Sequence, residues 1–132
     1  MNVDAYNEFA TQVAVFAAAE GIQVAYPGVP FDVPASGLWL EITWVPNLPL
    51  NYGIANDGPT LERGLASITV GGPSGGGTLP VIQLAEKVRQ EFGKGTRWGG
   101  VKVYSKPAIN VLPSEPHRVA AVVTAQWHGA DT

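Results

Sequence analysis

The chain has 132 residues, of which 45% are hydrophobic and only 14% are charged, and its formal net charge is −3. This length fits a single domain over residues 1–132. Soluble domains carry about 25% charged residues on average, so a largely neutral surface is expected, which suits a subunit covered by its neighbours. The basic residues are dispersed along the chain, so no basic cluster for nucleic acid is expected. The absence of cysteine excludes disulfides, thiolate nucleophiles and thiolate metal sites.

The first part of the chain predicts one helix followed by three strands. A helix is expected over 4–19, because apolar residues recur there at three- and four-residue spacing, and Asp4 can cap it. Alternating apolar and polar residues predict strands over 22–26, 38–45 and 60–70. The third strand is expected to return antiparallel to the second. The connection over 46–59 is long and rich in Pro, Asn and Gly, which is typical of functional or disordered segments.

The second part of the chain predicts one more helix and two more strands. Thr78 is a candidate N-cap, Pro80 fits the first helical turn, and the apolar spacing continues to Phe92. Strands are expected over 101–104 and 118–128, and the last is apolar on both faces at its start, which predicts a central position in the sheet. The predicted fold class is α+β: two helices packed on a mostly antiparallel β-sheet, in the order α-β-β-β-α-β-β.

The segment from Gly71 to Gly77 is rich in glycine and leads into the second helix, which is where phosphate-binding enzymes place their anion cradle. A P-loop ends in Gly-Lys-Ser/Thr, but here Thr78, Leu79 and Pro80 follow Gly77. The dinucleotide-binding glycine spacing is missing as well. A flexible strand-to-helix connector is therefore the preferred interpretation.

The titratable residues do not form a recognisable catalytic or metal-binding pattern. Ser114, Glu115 and His117 include a nucleophile, a carboxylate and a base, but they share one short proline-containing segment. His128 and the scattered carboxylates lack the ligand spacing of a metal site. We therefore predict no catalytic, cofactor-binding or metal-binding residues, and a small hydrolase that uses the Gly-rich segment and His117 is the least favoured alternative.

Glu41, Arg63 and Trp98 are singled out by where they lie in the predicted elements. Glu41 lies in the middle of a predicted strand, where its charge either faces water or pairs with a neighbouring strand, and Arg63 is the suggested partner. Trp98 lies in a glycine-flanked loop over 95–100. An indole on an exposed turn is a plausible interface anchor.

Several segments in a fixed order resemble the tail terminator-like, or tail completion, proteins of long-tailed bacteriophages. The resemblance covers roughly 22–128. It rests on Tyr-Pro-Gly-Val-Pro-Phe at 26–31, Leu-Trp-Leu-Glu-Ile at 38–42 before Pro-Asn at 46–47, and Arg-Gly-Leu-Ala-Ser-Ile-Thr-Val at 63–70. It continues with the Gly-rich turn, a helix that ends Glu-Phe-Gly-Lys-Gly-Thr at 91–96, a short strand, Pro107, and the last strand through 119–123.

The resemblance implies a structural virion protein that forms a hexameric ring at the head-proximal end of the tail tube. Such a ring ends tube polymerisation and offers a docking surface for the head–tail connector, while the genome passes through without specific binding. A connector or a tail tube subunit is the alternative. The resemblance implies no catalysis, no cofactor and no membrane, and a protein made in the host cytoplasm that resides in the virion neck. The candidate interface residues are Trp98, Asn47, Tyr52, Gly75, Gly76, Glu41 and Arg63.

Overall fold

The computed structural model describes residues 3–34, 37–47, 50–51, 60–73, 75–113 and 118–131. In these residues, two helices pack on one face of a β-sheet: α1 (Val3–Glu20) and α2 (Leu79–Glu91). The described strands are β1 (Gln23–Ala25), β2 (Trp39–Pro46), β3 (Leu50–Asn51), β4 (Thr60–Pro73), β5 (Arg97–Trp98), β6 (Val101–Val103), β7 (Ala108–Val111) and β8 (Arg118–Asp131).

The strands form one sheet with the order β1-β2-β4-β8-β6-β5. Only β1 and β2 pair in parallel, and the other neighbours are antiparallel. Outside this order, β3 pairs with β4, and β7 pairs with β8, which also pairs with β6. The predicted α+β class, the mostly antiparallel sheet and the element order are confirmed. The central position of the last strand is confirmed too, because β8 pairs along its whole length with β4.

The helices bury one stripe each, as their spacing predicts. On α1 the buried residues recur every fourth position, at Ala5, Phe9, Val13 and Ala17. The two predicted helix caps differ in outcome: the cap at Asp4 is wrong, whereas Thr78 is confirmed as the N-cap position of α2 but without side-chain capping. Asp4 lies inside the first turn of α1, where its carboxylate interacts favourably with the positive end of the helix dipole. Thr78 has helical backbone angles and its side chain makes no capping hydrogen bond.

An aromatic cluster fills the space between α1 and one end of the sheet. Phe9 packs edge-on against Trp98, with ring centroids 4.9 Å apart, and also contacts Trp44 at 5.4 Å. Trp44 stacks on Trp127 at 4.6 Å, and Phe92 closes the cluster beside Trp98. Large buried rings dominate core energetics, so this cluster fixes how α1 sits on the sheet.

Three short strands arise where the sequence predicts irregular chain, and one of them is β5, in the predicted loop over 95–100. β3 lies within the predicted connection over 46–59, and the other described residues of that connection are Pro46 and Asn47. β7 lies in a segment where Pro107 and Pro113 indicate a break, yet four residues between the prolines suffice to pair with β8. Prolines that flank an edge strand are tolerated because only one side of that strand donates to the sheet.

Candidate interaction surface

The face of the sheet turned away from the helices is its outer face. Side chains alternate along a strand, and over 62–70 of β4 and 121–127 of β8 the buried residues are those that face the helices. Among the described residues, no helix or strand packs over the outer face. Paired residues on neighbouring strands share a face, so the registers arrange the outer side chains in rows across the sheet.

One of these rows is basic. Arg97 of β5 is opposite Lys102 of β6, Lys102 is opposite His128 of β8, and His128 is opposite Arg63 of β4. We call these four residues the basic row. The backbone N–H of Asn47 donates a 2.7 Å hydrogen bond to the carbonyl of Arg63, so Asn47 continues the row towards β2. The strand registers thus bring together basic residues that are dispersed along the sequence.

The Arg and Lys side chains of the basic row form no ion pair in the described part of the chain. Arg63, Arg97 and Lys102 are exposed, and the ion pairs of the described residues involve other basic side chains. Like charges placed directly opposite each other on adjacent strands destabilise a sheet. Arg97 and Lys102 form such a like-charged pair, and the row is positively charged within the described part of the chain.

The next row along the outer face is largely apolar. Leu65 is opposite both Val45 and Gln126, and the backbone N–H of Tyr104 donates to the carbonyl of Gln126 at 3.1 Å. The side chains of Val45 and Tyr104 are each 40% exposed, and the Tyr104 ring stacks on His128 with centroids 4.4 Å apart. Apolar and aromatic surface beside arginine is typical of protein interfaces.

The opposite end of the outer face holds the Glu41 carboxylate. It accepts hydrogen bonds from the Trp39 indole N–H at 3.2 Å and from Arg118 at 3.3 Å. The Trp39 ring lies over Gly71 and is 1% exposed. The predicted pairing with Arg63 is wrong, because the register places Glu41 opposite Thr69, six residues further along β4.

We expect Glu41→Gln to lower the free energy of unfolding by less than about 1 kcal/mol, because both partners of the ion pair are about one-third exposed. The amide oxygen can still accept from Trp39. Urea denaturation of Glu41→Gln, Arg118→Gln and the double variant measures the coupling. A coupling well above 1 kcal/mol would contradict this interpretation.

The structure separates the predicted interface residues. Asn47 and Arg63 are adjacent on the outer face. Gly75 and Gly76 are exposed beyond the other end of β4, and Tyr52 lies outside the described residues. The prediction that Trp98 lies on an exposed turn is wrong: it is 1% exposed on the helix side, where its indole N–H donates to Gln12 at 2.7 Å.

Within the described residues, no group of three or more His, Asp and Glu side chains could hold a metal ion. His117 lies outside the described residues, so the structure gives no distances around it that could support the hydrolase alternative. On α2, Arg89 hydrogen-bonds to Glu86 and lowers the pKa of that carboxyl. No helix in the described ranges is long and apolar enough to cross a membrane.

Sequence reasoning missed Arg97, Lys102 and His128 as members of one surface. In sequence, up to 31 positions separate them, and only the strand registers bring them together. A weak signal was present: no Lys or Arg occurs before Arg63, so all eight basic residues lie in the later part of the chain. Such charge asymmetry predicts oppositely charged surfaces.

Comparisons with known proteins identify a family and a fold. The family described as phage tail terminator protein matches residues 6–127, from α1 to β8. Seven solved chains match the structure. One of them aligns with a TM-score of 0.77 over 100% of this chain and 97% of its own length, at 20% sequence identity, which shows a shared fold. No curated protein sequence matches the chain.

Proposed function

The chain belongs to the phage tail terminator protein family, and we propose that it forms a hexameric ring at the head-proximal end of the tail tube. Family membership makes it a structural component of a phage tail. In the proposed role the ring stops tube polymerisation and provides the surface on which the head docks. Its partners are further copies of the chain, the tail tube protein and the head–tail connector. The ring resides in the virion neck after synthesis in the host cytoplasm.

One observation carries this proposal: the family match extends over both helices and the central strands of the sheet. The surface supports it, because only 14% of the residues are charged and, on the outer face, Arg63, Lys102, Tyr104 and Gln126 are exposed among the described residues. Neutral surface loses little hydration energy when neighbours cover it. The genome passes through the channel of such a ring without specific binding.

We expect the purified protein to stop the growth of tail tubes assembled in vitro from the tube protein. The physical reason is that a ring bound to the growing end covers the surface that the next tube subunits need. Negative-stain images should show shorter tubes with one ring at one end, compared with tube protein alone. Incorporation along the whole tube would instead identify a tube subunit. Uninterrupted growth together with binding to the connector would identify a connector.

A further inference from the structure

The charges of this chain are divided between its two parts. Residues 1–59 contain six acidic side chains, at Asp4, Glu8, Glu20, Asp32, Glu41 and Asp57, and no Lys or Arg. Two of these acids already have partners, because Glu20 pairs with Lys87 and Glu41 with Arg118. Asp4 and Glu8 are exposed on the first turns of α1. One copy of the chain thus carries both the basic row and an acidic surface.

Arg63 and Lys102 of the basic row lie on the face of the sheet opposite α1, whereas Arg97 lines a pocket together with Glu8 of α1. α1 packs on the other face of the sheet and turns Asp4 and Thr11 to the outside. Glu8 is exposed on the same side of α1, near the turn at Gly99. Between Glu8 and Glu20, the exposed side chains of α1 are small or apolar: Thr11, Ala14, Val15, Ala18 and Ala19.

We propose that the outer face of one subunit receives α1 of the next copy, with Asp4 and Glu8 on the basic row. This inference rests on the proposed ring and names the two surfaces that build it. The small residues of α1 then lie over the apolar row around Val45, Leu65 and Tyr104. The opposite charges fix where α1 of one copy lies along the outer face of the next copy. They also disfavour arrangements of the two surfaces that would bring like charges together.

The dimensions and the symmetry fit this contact. An 18-residue helix is about 27 Å long, and four rows of the outer face span about 20 Å along the strands. A contact between two different surfaces repeats from copy to copy and closes into a ring when the rotation permits. The contact also buries the basic row between subunits, which keeps these cations away from the genome in the channel.

The first experiment is a charge exchange read by native mass spectrometry and light scattering. Arg63→Glu with Lys102→Glu, or Asp4→Lys with Glu8→Lys, should each weaken ring formation at least about tenfold at low salt. Combining all four substitutions in one chain restores complementary charges and should restore the ring. Lys94→Glu is the matched control, because Lys94 is exposed and lies outside the basic row. Circular dichroism confirms that each variant is folded.

Unchanged rings in both double variants would overturn the inference. So would failure of the fourfold variant to recover while it remains folded. A third outcome would assign the row to DNA phosphates: intact rings whose binding of duplex DNA at about 50 mM salt is lost with Arg63→Glu and Lys102→Glu.

The second experiment separates this contact from the proposed function. Because the chain contains no cysteine, Thr11→Cys on α1 and Gln126→Cys on the outer face provide single thiols. Mixing the two variants under mild oxidation should give mixed disulfides and few homodimers. If the variants cross-link but the protein does not affect tube growth, the proposed contact is supported and the proposed terminator role is contradicted. Absent cross-linking together with capped tubes would retain the role and reject the contact.

Discussion

Trp98→Asp is expected to unfold the protein rather than to release folded subunits. The indole is buried, packs against Phe9 and Phe92, and donates to Gln12. Removing a buried tryptophan ring costs about 3–5 kcal/mol, and a carboxylate without a partner in the same space adds to this cost. Domains are typically stable by only about 5–15 kcal/mol. Circular dichroism and urea denaturation should therefore show loss of most or all of the native state.

Trp98→Phe is the matched control for this prediction. It keeps an aromatic ring against Phe9 and loses the smaller contribution of the hydrogen bond to Gln12, about 1 kcal/mol plus some packing. This variant should remain folded. A Trp98→Asp protein that keeps its native spectrum and melts as a monomer would contradict the burial and would return Trp98 to the outside of the subunit.

The case of Trp98 shows which part of the fold could be predicted from the sequence. Helices and strands follow from local periodicity, so α1, α2 and the long strands were predicted almost at their observed bounds. Trp98 belongs to a two-residue strand, which is too short to show the alternation of apolar and polar residues that identifies a strand. Its neighbours Gly95, Gly99 and Gly100 indicate a turn, and a turn in sequence does not reveal whether its one large side chain points inwards.

The candidate interaction surface was harder to predict than the fold, because it depends on the register between strands. The alternation of apolar and polar residues along β4 predicts that Arg63 points to the outer face. It does not predict that His128 and Lys102 lie beside Arg63 on the neighbouring strands. A shift of one residue moves every side chain of a strand to the other face, and only packing of the whole sheet selects the observed pairing. Glu41 illustrates the same limit, since its partner Arg118 is 77 positions away in sequence.

Gly64→Ala is expected to destabilise the protein by about 3 kcal/mol, because a methyl group has no space at this position. A Cβ atom would lie 2.3 Å from the carbonyl oxygen of Val45 and 2.5 Å from the Trp127 ring. Neither neighbour can yield: the oxygen belongs to the backbone of β2, and the ring is stacked on Trp44. Overpacking of this kind costs about 1–3 kcal/mol and more where backbone must move. Thermal denaturation should show the melting temperature lowered by roughly 10 °C.

Gly76→Ala is the comparison that isolates the steric effect, since both changes add one methyl group to a glycine. Gly76 is exposed, its φ is not positive, and the nearest atom to an added Cβ is 3.4 Å away. Its stability should change by less than about 0.5 kcal/mol, or rise slightly because alanine restricts the unfolded chain. Equal stability of the two variants would mean that β2 and Trp127 move apart freely. The close approach of Trp127 to β4, which holds the aromatic cluster under α1, would then not depend on glycine at position 64.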